Sequence, residues 1–217
     1  MKELKDWCLN KGHNITEYQL GQFARFKENL LDWNKRINLT AITDDKGVWQ
    51  KHFADSLTLL PYLPCSSDGE MRLIDVGCGA GFPGLPIKIM RSDIYVTMLD
   101  SLRKRIFFLE DTVAQLGLEG IECIHDRAED FSKKEGIRGS YDICTARAVA
   151  RMDKLCEWCM PFVKSGGLFL AMKGSNTANE ISEAMPTIEK LGGKVLDTKF
   201  MEIVPGLVHS VVVVCYA

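Results

Sequence analysis

A glycine-rich segment, LIDVGCGAGFPGLPIKIM at residues 73–90, carries the strongest chemical signal in the sequence. Gly79, Gly81 and Gly84 have the spacing G-x-G-x-x-G, which lets a backbone loop approach a nucleotide cofactor closely. Asp100 follows about 20 residues later, at the end of the next apolar run, where a carboxylate can accept hydrogen bonds from a ribose. This spacing suits a dinucleotide and other nucleoside cofactors equally, so the glycines alone do not identify the ligand.

Three further features favour a cationic cofactor over one with a pyrophosphate. Asp75 lies at the end of the predicted strand, so its carboxylate faces the loop and would repel a phosphate. Pro83 and Pro86 lack a backbone N–H where the next helix begins and where a pyrophosphate would bind. The third predicted strand ends in HDRAED, which adds the carboxylates of Asp126, Glu129 and Asp130. S-adenosylmethionine, with its sulfonium, ammonium, ribose and adenine, matches this set of acids.

The elements that must position these residues form an alternating pattern from Arg72 onward, which predicts a doubly wound, mostly parallel sheet. The seven strand candidates are RLIDV, IYVTMLD, IECIHD, YDICTARA, GLFLAMKG, KVLDTKFMEI and LVHSVVVVCYA. Helical patterns lie at 103–117 and 151–167. Only a turn near Pro205-Gly206 joins the last two strands, so we expect them to pair antiparallel. The predicted fold is α/β and Rossmann-like, with one reversed strand among seven.

The first part of the chain has a helical character instead. Thr16 can cap a segment whose apolar residues recur every three or four positions, and a second amphipathic segment follows TDDKG. The stretch PYLPCSSDGE then marks a boundary. We therefore expect a helical N-terminal cap at 1–67 and a catalytic domain at 68–217.

Composition describes an ordinary globular protein of 217 residues, with 46% hydrophobic and 26% charged residues. No apolar run approaches the roughly 20 residues that cross a bilayer, and the start lacks a signal-peptide pattern, which predicts a cytoplasmic protein without membrane contact. The eight cysteines are scattered, several of them in apolar runs where reduced thiols pack. The net charge of −2 argues mildly against a general nucleic-acid binder.

Several segments together resemble the GidB (RsmG) family of bacterial methyltransferases. They are LIDVGCGAGFPGLPIKI, LDSLRKRIFFLE, HDRAED, YDICTARAVARMDKL and FLAMKG, with NKRINLTAI and HFADSL nearer the N-terminus. That family methylates N7 of a guanine in 16S ribosomal RNA with S-adenosylmethionine. The resemblance implies a class I methyltransferase fold and the small ribosomal subunit as partner, and we expect a monomer. The chain departs from the family in ending at VVVVCYA without a basic tail, and in having Val208-His209-Ser210 where an arginine is common.

The loop and the resemblance together predict a cofactor site. Its residues are Asp75, Gly77, Gly79, Phe82, Asp100, Ala128, Glu129 and Arg147. Asp75, Gly79 and Asp100 follow from the glycine loop and its acids. The resemblance implies the others, namely Gly77, Phe82, the pair Ala128-Glu129 and Arg147.

The implied reaction requires little acid–base chemistry. N7 of guanine carries a lone pair and no proton, so catalysis rests on positioning and on tolerating the charge that develops on the purine. N7 lies in a deep groove of an RNA duplex, so the target base must be unpaired or flipped out. Arg147, Arg151 and Lys173 are the predicted catalytic and RNA contacts, with Arg36 and Lys51 as weaker candidates. No metal site is expected.

Other residues have a plain structural interpretation that outweighs a functional one. Cys156 and Cys159 form an isolated C-x-x-C, which favours packing over zinc binding. For His52 a structural hydrogen bond is favoured over catalysis, and residues 103–105 are interpreted as a solvated face. Asn38 suits a helix cap and a substrate contact equally.

Three other functions stay open on the sequence alone. A methyltransferase of the same fold that acts on a small molecule or a protein would suit the near-neutral charge. A nicotinamide-dependent oxidoreductase is supported only by the glycine spacing. A ribosome-assembly factor with a vestigial cofactor site would retain the same motifs without the reaction.

Overall fold

A seven-stranded mixed sheet forms the centre of the protein. The computed structural model describes residues 1–63, 71–147, 150–175 and 177–216. The strands are β1 (Arg72–Val76), β2 (Tyr95–Asp100), β3 (Ile121–His125), β4 (Tyr141–Arg147), β5 (Val163–Lys173), β6 (Gly193–Val204) and β7 (Leu207–Tyr216). Their order across the sheet is β3-β2-β1-β4-β5-β7-β6, and only β7 runs antiparallel to its neighbours. The predicted fold, including the terminal hairpin, is confirmed.

Helices cover the sheet and form the N-terminal cap. The α-helices are α1 (Lys2–Asn10), α2 (Glu17–Ile37), α3 (Asp45–Val48), α4 (Asp55–Leu57), α5 (Gly84–Met90), α6 (Arg103–Leu116), α7 (Ala128–Phe131), α8 (Met152–Cys159) and α9 (Ala178–Lys190). A π-helix (Trp49–Ala54) joins α3 to α4, and short 3-10 turns lie at Leu60–Tyr62 and Met160–Phe162. None of the helices in the described part of the chain is long and apolar enough to cross a membrane.

The reversal of strand order creates a crevice at one edge of the sheet. β1 pairs with β2 on one side and with β4 on the other, so the connections after β1 and β4 leave in opposite directions. In open α/β sheets, ligands bind at the carboxyl ends of the strands next to such a switch point. The glycine loop after β1 lies at this position.

The cap shares one hydrophobic core with the sheet. Thr16 begins α2 with a capping box, because its hydroxyl accepts the Gln19 N–H and the Gln19 side chain accepts the Thr16 N–H. Phe23 and Phe26 of α2 are fully buried and belong to the same apolar cluster as residues of β1 and β2. The cap is therefore fixed against the sheet edge that carries the glycine loop.

Two expectations about the elements need correction or stay open. The helical pattern at 151–167 is wrong in its second half, because α8 ends at Cys159 and the residues from Val163 onward belong to β5. Pro161 lies in the short 3-10 turn between them, where its missing N–H interrupts the α-helical bonding. Helix α9 was not among the predicted elements. The boundary expected between residues 67 and 68 lies outside the described residues, so the division into two domains stays a prediction.

Candidate active site

The loop after β1 is held by backbone bonds and by two carboxylates. The N–H groups of Gly77 and Cys78 both donate to the carbonyl oxygen of Leu99 in β2, at 2.8 and 3.1 Å. Gly77 and Gly79 have φ values of 68° and 57°, a region that favours glycine. At Gly79 an added Cβ would have only the carbonyl oxygen of Gly77 within 4 Å, so open space lies above this part of the loop.

Asp75 is fully buried beneath the loop. Its Oδ2 accepts the Gly84 N–H at 2.8 Å, which ties the end of β1 to the first residue of α5. Its Oδ1 is buried and has no hydrogen-bond partner among the described residues. Burial raises the pKa of Asp75 to about 7, even though the bond from Gly84 and the charge of Arg147 act in the opposite direction. A carboxyl group in this state can ionise when a cation approaches.

Asp100 ends β2 and is committed to three donors of the protein. Its Oδ2 accepts the Gly79 N–H at 2.9 Å and Nη1 of Arg105 at 3.1 Å, while its Oδ1 accepts the Leu102 N–H at 2.8 Å. Only 2% of Asp100 is exposed. The carboxylate therefore shapes the loop as well as facing the crevice, and a ribose would compete with Arg105 for it.

Two cavities meet at Gly77, Asp100 and Ser101. The larger, of about 370 Å³, is lined by Leu39, Thr40, His52, Gly77, Cys78, Gly79, Ala80, Phe82, Asp100, Ser101, Arg105 and Arg147. The smaller, of about 230 Å³, is lined by Val76, Gly77, Leu99, Asp100, Ser101, Asp126, Arg127, Ala128, Glu129 and Trp158. Together they form one groove that runs along the carboxyl ends of the strands. Every residue of the predicted cofactor site lines this groove except Asp75, which lies beneath it.

Arg147 at the end of β4 links the sheet to the cap. Its Nη1 donates to the Asp55 carboxylate at 2.8 Å and to the Lys51 carbonyl at 2.9 Å. The guanidinium carbon lies 4.9 Å from the centre of the Phe82 ring. The other Asp55 oxygen contacts Nδ1 of His209 in β7. Burial opposes ionisation of Asp55, but His209 and Arg147 outweigh it and hold the pKa of this carboxyl below its usual value.

His52 is a buried, neutral ring on the cap side of the larger cavity. It stacks on Phe82 with ring centres 4.4 Å apart and the planes 18° from parallel. Burial, followed by the charge of Arg147, lowers the pKa of His52 to about 4. The structural interpretation of His52 is therefore supported, although the residue also lines the cavity.

Two of the three predicted catalytic residues lie away from this groove. Lys173 donates to Glu180 of α9 at 2.6 Å and to the Ala150 carbonyl at 2.9 Å, and Glu180 also accepts the Met152 N–H. Arg151 is exposed and pairs with Glu183. Both residues line a separate surface cleft between α8 and α9. Of the three, only Arg147 reaches the cavity.

The sequence reasoning missed several residues that line the groove. Trp158 of α8 is not among the predicted site residues, yet it lines the smaller cavity with Val76, Leu99 and Ala128. Arg105 was assigned to a solvated face, yet it pairs with Asp100. The position of Arg105 in the first turn of a helix that follows a predicted site carboxylate was an available signal. Nothing in the local sequence signals Trp158.

The cysteines and the described acids give no sign of a metal centre. Among the residues that the structure describes, no three histidine, cysteine, aspartate or glutamate side chains are arranged to hold a metal ion. Cys156 and Cys159 are buried in the core beneath the sheet. Burial raises the pKa of Cys156 to about 12, as expected for a packed thiol.

We expect Gly84→Ala to destabilise the protein and to disturb the loop. An added Cβ would lie 2.3 Å from Sδ of Met98 and 2.9 Å from Oδ2 of Asp75, so one of them must move. Overpacking of this kind costs roughly 1–3 kcal/mol. Thermal unfolding measures the loss, and Gly21→Ala, at a helix position where the added Cβ meets nothing within 4 Å, is the control. An unchanged melting temperature for Gly84→Ala would contradict this description of the loop.

Comparisons with known proteins identify the family of this chain. A family model described as GidB, rRNA small subunit methyltransferase G, matches residues 19–206. The chain is 43% identical to ribosomal RNA small subunit methyltransferase G of Clostridium botulinum strain Loch Maree, over 97% of this chain and 88% of that protein. It is 47% identical to the protein of the same name from Geobacillus thermodenitrificans, over 87% of this chain and 79% of the other.

Solved structures share the fold at low sequence identity. M. jannaschii TYW2 in complex with AdoMet has a TM-score of 0.60 and 16% identity, and the match covers 80% of this chain and 77% of that one. At this level of identity the likeness concerns the architecture alone. It confirms the class I methyltransferase arrangement of strands.

Proposed function

The chain belongs to the GidB family of rRNA small subunit methyltransferases, and we propose that it transfers a methyl group from S-adenosylmethionine to N7 of a guanine in 16S ribosomal RNA. The observation that carries the choice of N7 is the absence of a competent general base among the described residues of the larger cavity. His52 has a pKa of about 4, and the pKa of the Cys78 thiol is raised well above its usual value by burial. Asp100 is already committed to three donors. An acceptor without a proton, such as N7, suits these surroundings.

One unsatisfied polar atom supports the fit of S-adenosylmethionine to the groove. The buried Oδ1 of Asp75 has no partner among the described residues, as expected of an atom that faces a cationic ligand group. We propose that Asp75 faces the ammonium group, Asp100 the ribose, and Ala128 and Glu129 the adenine. Gly77 and Gly79 allow close approach, Phe82 forms an apolar wall, and Arg147 holds the carboxylate end. The half-buried Trp158 is added as a wall of the adenine site.

The protein's part in the reaction is to position the cofactor and the target base and to exclude water from between them. Bound S-adenosylmethionine supplies a methyl group that is activated by its sulfonium. Arg147 is anchored by Asp55 and the Lys51 carbonyl, so it can hold a carboxylate without moving at the moment of reaction. A guanidinium bound to both O6 and N7 would occupy the lone pair that must react, so Arg147 belongs on the cofactor side of the cavity.

RNA is the proposed partner, and the first turn of α6 is the basic surface that we assign to its phosphates. Arg103, Lys104 and Arg105 lie there with no acidic residue in the turn, although cations are disfavoured at a helix N-terminus. Arg105 lines the cavity, and Arg103 and Lys104 are exposed beside it. Arg151 and Lys51 stay candidates for further RNA contacts. Lys173 is proposed to position the start of α8 through Glu180 and the Ala150 carbonyl.

Neutralising Arg103 and Lys104 together, as R103Q/K104Q, should weaken binding to small ribosomal subunits. Each lost phosphate contact should reduce the slope of log affinity against log salt by roughly 0.7–0.9, with S-adenosylmethionine affinity unchanged. K190Q/K194Q makes the same charge change where β6 begins, at the opposite edge of the sheet. Equal salt slopes for the two double variants would remove the α6 turn from the RNA interface.

Calorimetry and methyl transfer test the function as a whole. We expect S-adenosylmethionine to bind and NAD to give no signal, with radioactive methyl transfer onto small ribosomal subunits. Tight NAD binding without a response to S-adenosylmethionine would favour an oxidoreductase instead. We also propose that the protein acts as a cytoplasmic monomer, which light scattering of the purified protein and fractionation of cells would test.

A further inference from the structure

One tight turn of the cap, at residues 38–42, is clamped by a single side chain. Oδ1 of Asn34 accepts the N–H groups of Leu39 and Thr40, at 2.6 and 2.9 Å. Nδ2 of Asn34 donates to the Thr40 carbonyl at 2.9 Å. Asn38 turns the chain out of α2 in a left-handed conformation with φ of 31°. The turn therefore holds Thr40 in one place at the wall of the larger cavity.

The position of the proton on His52 decides what the Thr40 hydroxyl can do. Nδ1 of His52 lies 3.3 Å from Nη2 of Arg147, which can only donate. The Lys51 carbonyl lies 3.0 Å from the same Nδ1 and also accepts from Nη1 of Arg147. A proton on Nδ1 would lie against Nη2 of Arg147, which donates towards the same nitrogen, so we assign the single proton of the neutral ring to Nε2.

The Thr40 hydroxyl then has a proton to donate. Its Oγ1 accepts the Ile42 N–H at 3.0 Å and Nε2–H of His52 at 2.9 Å, which uses both lone pairs. No other partner for this hydroxyl lies among the described residues, and Thr40 lines the larger cavity. A fixed donor is thus presented to whatever occupies this wall.

The two walls of the cavity come from different parts of the chain. The sheet side supplies the glycine loop, Asp100 and Arg147, all of which the proposed function assigns to the cofactor. The cap side supplies Leu39, Thr40 and His52, to which it assigns nothing. Because the acceptor must meet the cofactor inside this cavity, the cap wall is the one left to face the target base.

On this basis we propose that Thr40 donates a hydrogen bond to O6 of the target guanine and is a specificity-determining residue, an inference that rests on the proposed function. O6 is the acceptor next to N7, so a single hydroxyl can bind it and leave the N7 lone pair free. Adenine presents an amino group at that position, which is a donor and cannot accept this bond.

Single-turnover methyl transfer onto small ribosomal subunits tests the proposal with Thr40→Val and Thr40→Ser. Valine keeps the shape of the side chain and removes the hydroxyl, whereas serine keeps the hydroxyl. At saturating subunits, T40V should be slower by about ten-fold, since O6 is left unpaired, and T40S should stay within about three-fold of the wild type. The affinity for S-adenosylmethionine should be unchanged in both variants, because Asp55 and the Lys51 carbonyl still hold Arg147 in place.

The other results count against the inference in distinguishable ways. A T40S protein as slow as T40V contradicts it, because serine keeps the hydroxyl. A T40V protein as fast as the wild type overturns the role of Thr40 and leaves the proposed function intact. A loss in T40V that is matched by weaker S-adenosylmethionine binding assigns Thr40 to support of the cofactor site instead. If the wild type and T40S transfer no methyl group, the proposed function fails and the inference fails with it.

Discussion

Asp75→Asn should weaken the binding of S-adenosylmethionine by roughly ten- to a hundred-fold, the range expected for loss of a hydrogen bond to a charged group. The amide can still accept the Gly84 N–H through its oxygen, so the loop keeps its anchor. Its NH₂ group must then stand where the unpartnered Oδ1 now lies and would face the ligand's ammonium group with a donor. Titration calorimetry at pH 7 measures the loss.

The pH dependence of binding gives the same prediction a sharper form. With a pKa of about 7, the Asp75 carboxyl carries a proton on part of the molecules at neutral pH. A bound cation favours the ionised form, so binding releases a proton and the affinity rises with pH. If binding lowers this pKa well below 6, the affinity should rise about five-fold between pH 6 and 7, where the ligand's amino group stays protonated.

A matched carboxylate in the same sheet provides the control for Asp75. Asp142, near the start of β4, accepts the Arg72 N–H at 2.8 Å at the amino ends of the strands, away from the glycine loop. Asp142→Asn should leave the affinity and its pH dependence as they are in the wild type. An Asp75→Asn protein that binds as tightly as the wild type, with the same pH dependence, would exclude Asp75 from the cofactor site.

Arg147→Lys should reduce methyl transfer by about a hundred-fold and lower the free energy of unfolding by roughly 1–3 kcal/mol. The guanidinium donates to Asp55 and to the Lys51 carbonyl, approaches Nδ1 of His52 and lies over Phe82. An ammonium group keeps the charge but cannot fill these places at once. Single-turnover transfer and chemical denaturation measure the two effects.

Arg138→Lys makes the same exchange at an exposed position away from the groove and should change neither quantity. Asp55 explains why the effect at Arg147 includes stability, because among the described residues this buried carboxylate would keep only the His209 ring as a side-chain partner. An Arg147→Lys protein with the wild-type rate and stability would contradict the assignment of this network to the site.

The sheet and its loop were predictable because their signals are local. Apolar runs that end in Asp75 and Asp100, separated by a glycine turn, specify two parallel strands and the place where a ligand approaches. The residue spacing could not predict the environment of the Asp75 carboxyl group. Its burial and its unpartnered oxygen follow from how α5 folds back over β1.

The residues contributed by other elements were out of reach of local reasoning. Thr40 and His52 enter the cavity only because the cap packs against the sheet, far along the chain from the loop that they face. Lys173 was correctly predicted to lie at the end of a strand, but helix α9 was not predicted. Glu180 of that helix accepts a hydrogen bond from the Lys173 ammonium group. Trp158 reaches the smaller cavity only through the packing of α8.

The most direct test of the central claim is to map the transferred methyl group. Small ribosomal subunits and naked 16S RNA from cells that lack this activity are incubated with the protein and S-adenosylmethionine, then treated with borohydride and aniline, which cleave at N7-methylguanine. The proposed function predicts one new cleavage in 16S RNA that depends on the protein and is absent with Arg147→Lys at short times. Methyl transfer without cleavage would contradict the assignment to N7, and no transfer to either substrate despite bound cofactor would contradict the assignment to 16S RNA.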